Sequence, residues 1–237
     1  MRPVTLPPLK VGWSPNNVPQ DGDPAQGYIT TSRFSARENE IYILGKAGVD
    51  TDEFDSHVIV HEWGHFFEQS LSRADNPGGS HGAGDVLDPR VAFGEGYGNA
   101  LASMLLPESI HVDTAWLGPG GTLSASGFDA ETEPSPTDDP HPGPFSERSI
   151  QRLLYDLYDS GTSEAHDRVT VDLGTIYDVL VGPQKNKGAW VAGADQNLSG
   201  TETFDFHAQT GRRYVVVLTG FKSSPGRYPV SLSITSP

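Results

Sequence analysis

The sequence predicts an α+β fold: a small mixed or antiparallel sheet with a set of helices, followed by a short all-β C-terminal segment. Three observations carry this. Apolar residues recur at helical spacing between residues 54 and 157, interrupted by two Gly/Pro-rich loops. Residues 41–44 (IYIL) are β-branched and aromatic and are stopped by Gly45. After Gly182 the apolar period changes from 3.6 to 2. A chain of 237 residues suits one domain and a fraction. The expected division is a main domain over 1–182 and a β appendage over 183–237, with the boundary region at 183–198.

The elements follow in order. Residues 1–27 hold Pro3, Pro7, Pro8, Pro15, Pro19 and Pro24 and read as an irregular arm. Residues 28–31 suggest a short strand, and 41–44 a better one. The acidic run 50–55 (DTDEFD) suits a helix start, where the dipole favours negative charge. Residues 54–71 contain no proline and one glycine, with Phe54, Val58, Ile59 and Phe66 as an apolar stripe. A loop over 72–90 follows. Helical spacing resumes over 91–106 through Phe93, Tyr97, Ala100 and Met104, and Pro107 ends it. Residues 117–144 read as a second long loop. Ser146 is an N-cap for a helix whose face is Ile150, Leu153, Leu154 and Leu157, ending near Gly161. Residues 172–181 add a short helix. Strands are expected at 201–206, 212–219 and 227–234, joined by turn-forming residues.

Composition removes several functions. Sixteen Lys and Arg against 31 Asp and Glu give a net charge of −15, a surface that repels nucleic acid and anionic membranes. The absence of cysteine removes disulfides, thiolate metal sites and cysteine nucleophiles. The longest apolar stretch, near 214–218, falls far short of the ~18 residues of a membrane span. The opening MRPVTLPPLKV has no continuous apolar core, so no signal peptide is visible.

The chemistry centres on His61-Glu62-Trp63-Gly64-His65. On a helix, positions i and i+4 share a face, so His61 and His65 can present two imidazole nitrogens to one metal ion. Glu62 lies about 100° around, within reach of water at that metal. This is the HExxH arrangement of zinc peptidases. Catalytic zinc normally takes three protein ligands. Glu68 and Leu71 stand where a metzincin would need Gly and His, so that continuation is excluded. Glu95, in FGEGYGN on the next helix, is the preferred third ligand. Gly94, Gly96 and Gly98 let that helix approach closely. Asn99, one turn after Glu95, can hydrogen-bond a ligand histidine and fix its tautomer. Asp85 or Asp88 could instead supply the third ligand. The oxygen-rich loop around His81, Asp85 and Asp88 could also hold Ca²⁺, although ordinary loop polarity accounts for it. His57 shares the His61 face, as a supporting or a simply packed residue. His111, His141, His166 and His207 read as surface residues.

HEWGH followed by a helix bearing GEGxxxN resembles the gluzincin superfamily of zinc metallopeptidases. The resemblance covers roughly residues 28–160. Those enzymes carry an acidic residue four positions after the Glu ligand, where this chain has Asn99. The resemblance implies one catalytic Zn²⁺ and a peptide or protein substrate. It also implies a small sheet whose edge strand, expected at 41–44, pairs with substrate backbone. Gluzincins stabilise the oxyanion with a downstream Tyr or His. Tyr155 is the candidate here with Asp156 beside it, against an ordinary amphipathic surface holding an Arg152–Asp156 pair. The stretch TGRRYVVVLTGFKSSPGRYPVSLSI resembles the end of a bacterial pre-peptidase C-terminal domain. That implies an exported protein, secreted or periplasmic, with a cytoplasmic location still open. The expected activity is zinc-dependent peptide hydrolysis with Glu62 as general base. The rivals are a catalytically inactive, peptidase-like binding module of an exported protein, and a Ca²⁺-stabilised domain whose HExxH is incidental.

Overall fold

Lys10–Trp13 (β1), Arg33–Ser35 (β2) and Glu40–Ile43 (β3) form a mixed sheet in the order β1-β3-β2. The computed structural model describes residues 3–118, 121–160 and 169–185. β1 runs parallel to β3, from Lys10 opposite Glu40 to Trp13 opposite Ile43, and β2 runs antiparallel to β3, with Phe34 opposite Ile41. Ile41 and Ile43 are buried, so alternation aims one face of β3 at the core. Three expectations need correction. The arm over 1–27 is not wholly irregular, because the proline-free KVGW between Pro8 and Pro15 pairs as β1. Residues 28–31 do not form a strand: Thr30 has φ 65°, which breaks extension, and Tyr28 makes only an isolated bridge to Val18. The strand expected at 41–44 is β3, and it is central; the edge on the other side is β2.

The acidic run 50–55 makes a 3₁₀ turn, Asp52–Phe54, before Ser56–Leu71 (α1). Phe54 is 77% exposed, so it does not head the apolar stripe. Phe66, Phe67 and Leu71 are buried instead, and the ring of Phe66 meets Phe34 edge-on at 5.9 Å, tying α1 to β2. Pro89–Leu105 (α2) starts where Asp88 caps it, accepting from Arg90 N at 2.9 Å, with Pro89 in the first turn. The two helices cross closely. A Cβ on Gly64 would stand 3.3 Å from Gly98 Cα. Phe67 and Leu71 pack with Tyr97, Leu101 and Leu180 in the core beside this crossing.

Ile110–Trp116 (β4) and Leu123–Asp129 (β5) form an antiparallel hairpin, Ile110 opposite Asp129 and Trp116 opposite Leu123. The loop expected over 117–144 therefore contains a strand. Ser124, Ser126 and Gly127 hide β5 from a pattern of alternating apolar residues. Glu147–Tyr158 (α3) is capped by Ser146, which accepts from Ser149 N at 3.2 Å. Leu153 of its expected apolar face is exposed, whereas Leu154 joins the core. Leu173–Val179 (α4) is capped by Asp172 and runs into a π turn, Leu180–Gln184. This turn crosses the expected boundary at 182/183. The strands at 201–206, 212–219 and 227–234, with His166 and His207, lie outside the described residues.

Candidate metal centre

Helical geometry places His61 and His65 one turn apart on α1, their rings 4.7 Å apart and nearly perpendicular. Their Nε2 atoms are 3.0 Å from each other. From α2, Glu95 brings Oε2 to 3.3 Å from His61 Nε2 and 3.2 Å from His65 Nε2. These three ligand atoms lie within 4.8 Å of one another, and Glu95 is 5% exposed. The crossing of α1 over α2 makes this meeting: a Cβ on Gly98 would stand 2.9 Å from the His61 ring.

Asn99 Oδ1 lies 2.8 Å from His61 Nδ1. An amide oxygen only accepts, so Nδ1 carries the proton and the Nε2 lone pair faces Glu95 and His65. Two basic nitrogens and a carboxylate oxygen then converge on one point, a donor set that fits a divalent transition metal such as zinc. Burial works to raise the Glu95 pKa, but the contacts it makes with His61, His65 and His81 outweigh burial and hold the carboxyl well below the usual range. Burial also works against charge on His65, yet Glu95 and Glu62 nearby leave its pKa raised.

Glu62 is buried and points off the ligand face toward β2, where its Oε2 accepts from Phe34 N at 2.6 Å. The outer edge of β2, rather than β3, therefore lies beside the acid next to the paired histidines.

The loop after α1 contributes more than its sequence suggests. His81 Nε2 lies 3.2 Å from Glu95 Oε2, and Asn76 Nδ2 donates to Glu95 Oε1 at 3.1 Å. The Glu95 contact pushes the His81 pKa up to about 9. SHGAG has no spacing relation to HEWGH, so only the folded loop reveals this histidine. Asp88 is committed to Arg90, accepting from its backbone N and its guanidinium at 2.7–2.9 Å. Asp85 is exposed. Neither aspartate joins a metal-capable group among the described residues, for zinc or for the Ca²⁺ considered in this loop.

His57 is buried against the Glu108 carbonyl at 3.2 Å, and is packed rather than placed at the triad. His111 is not a surface residue. It is buried and stacked on Phe128 at 4.6 Å, and burial pushes its pKa down to about 3. His141 is exposed as expected. Tyr155 lies beside Tyr158, with ring centroids 6.0 Å apart, and Asp156 pairs with Arg152 at 3.8 Å. Among the described residues the groups that meet Glu95 come from α1 and the 72–88 loop.

Comparison with family models, curated proteins and solved structures gives no match to this chain. What the fold itself supplies is a His61–His65–Glu95 group that could hold a metal ion, inside an α+β frame.

Proposed function

We propose that the protein is a zinc-dependent peptidase, with His61, His65 and Glu95 holding the metal. The observation that carries this is the convergence of those three groups with His61 Nε2 turned inward by Asn99. When bound, zinc supplies Lewis-acid polarisation of a carbonyl and acidifies water toward neutral pH. Glu62 accepts the proton of the attacking water and returns it to the departing amine. Phe34 N, donating to Oε2, fixes the carboxylate while the other oxygen does this work. An extended peptide running along the outer edge of β2 would pass beside Glu62, which this reading takes as the substrate strand's position.

An oxyanion needs a donor. His81 already stands at Glu95, and Tyr155 on α3 is the donor the sequence nominates. His81→Ala and Tyr155→Phe separate them: the true donor loses about 10²–10³ in kcat with zinc content unchanged. An exported location and a peptide or protein substrate belong to the same reading.

The decisive experiment is Glu62→Gln, assayed for hydrolysis of a broad peptide library beside zinc stoichiometry. The expected result is a loss of about 10²–10⁴-fold in rate with one zinc retained. Full activity in the Gln variant would overturn the mechanism. An inactive parent that still binds zinc would assign the fold to a binding module instead.

A further inference from the structure

A second group of ligating atoms is built from different residues. Asp50 and Asp52 precede α1 and Asp113 lies on β4, and each offers a carboxylate oxygen within 4.8 Å of the other two. Asp52 is 4% exposed. Its Oδ2 accepts from Ser32 Oγ, whereas its Oδ1 is shielded from solvent and has no hydrogen-bond partner; Asp50 Oδ1 is in the same state. Asp55, also buried, is already committed, its Oδ2 accepting from Thr114 N at 2.9 Å and Thr114 Oγ1 at 2.8 Å. Among the described residues no lysine or arginine pairs with any of the four.

Carboxylate oxygens buried without donors are costly, and three that face one another also repel. Protons shared among them, or a cation between them, would relieve this. The donor set is all oxygen, with no nitrogen or sulfur, which selects a hard cation. Two oxygens each ~2.4 Å from a Ca²⁺ ion stand at most ~4.8 Å apart, so the separations within this group have the size that ligands of one such ion require. The backbone around the group is fixed: Asp50 N donates to Lys46 O at 2.9 Å, Asp50 bridges Ala115, and Trp116 N donates to Val49 O at 2.8 Å.

We propose that Asp50, Asp52 and Asp113 bind one Ca²⁺ ion that fastens the lead-in of α1 to β4. Through Ser32, next to β2, the ion also steadies the strand whose Phe34 holds Glu62. It takes no part in the chemistry at the triad.

The test is calcium titration of the metal-stripped full chain by calorimetry and by thermal unfolding, with zinc content measured in parallel. The expected result is saturable uptake of one Ca²⁺ and a rise in melting temperature of about 5 °C or more at saturation. Asp52→Asn and Asp113→Asn should each abolish the uptake and leave zinc binding intact. Without calcium they should melt at or above the parent, because a repelling charge is gone. Asp85→Asn should behave as the parent does. No uptake by the folded parent up to about 10 mM, well beyond the range of weak extracellular sites, would overturn the proposal and leave shared protons as the explanation. Uptake that persists in both Asn variants, or uptake of Mg²⁺ in preference to Ca²⁺, would overturn it too. Zinc binding is read separately, so its loss in the parent bears only on the triad.

Discussion

At the scale of single residues, Asn99 decides which nitrogen of His61 faces Glu95. Its amide oxygen, 2.8 Å from Nδ1, makes the other nitrogen the basic one. Asn99→Ala should therefore weaken zinc binding about 10–100-fold although every ligand remains, and competition with a chromophoric chelator measures this. Asn99→Asp keeps the acceptor and should recover most of the affinity. His61→Ala and His65→Ala remove ligands and should abolish stoichiometric zinc outright. Glu95→Ala should do the same; if that variant keeps parental affinity, the third ligand is another residue.

At the scale of elements, the absence of side chains at two positions of α2 matters as much as the ligands. A Cβ at Gly98 would press on the His61 ring at 2.9 Å, and one at Gly96 would stand 2.7 Å from Glu147 O and Ile150 Cβ of α3. Gly96→Ala meets backbone that cannot swing aside, so it should destabilise the fold by about 1–3 kcal/mol in denaturant unfolding. Gly98→Ala meets a side chain, so it should cost metal affinity more than stability. These contrasts show what the sequence makes legible. HEWGH is readable because an i,i+4 pair needs only one helix, and Glu95 because a glycine-spaced helix advertises close approach. Ser146 is readable because capping is local. His81 is not, because a glycine-rich loop has no period to fix its direction. Nor is β1, whose partner β3 lies some thirty residues away, nor β5, whose serines and glycine carry no alternation. The meeting of Asp113 with Asp50 and Asp52 depends on long-range pairing that no local pattern encodes.

At the scale of the whole molecule, the α1 frame serves both candidate centres, and every proposed ligand lies between residues 50 and 113. A chain ending after Lys185 should thus keep stoichiometric zinc, as metal analysis would show. The acidic group also makes stability depend on pH, with a sign that can be worked out. Burial first, then a hydrogen bond shared with Asp50 and the charges of Asp50 and Asp55, pushes the Asp52 carboxyl from its ordinary 3.8 up to about 7 against the opposing hydrogen bond from Ser32. Burial with Asp52 and Asp55 pushes Asp113 up to about 6, and burial with Asp113 and Asp55 also raises Asp50. Without a cation the folded state binds more protons here than the unfolded chain between about pH 4 and 7, so this group loses stability as pH rises through that window. Buried His111 acts oppositely between about pH 3 and 6.5, because it is held neutral while the unfolded histidine is protonated. His81, raised to about 9, loses its contribution only as pH climbs from about 6.5 to 9. The bare melting curve mixes these with other buried groups, such as Glu68, which burial pushes up to about 8. The difference between parent and Asp52→Asn isolates the first, since both proteins share His111 and His81. In calcium-free buffer the Asn variant should gain on the parent steadily from pH 4 to 7 and then level off. Saturating calcium should remove the loss from the parent alone, because the ion replaces the protons. A parent-minus-variant difference that is flat across this window would mean that Asp52 is not held against its charge, and the cation clamp would lose its physical basis.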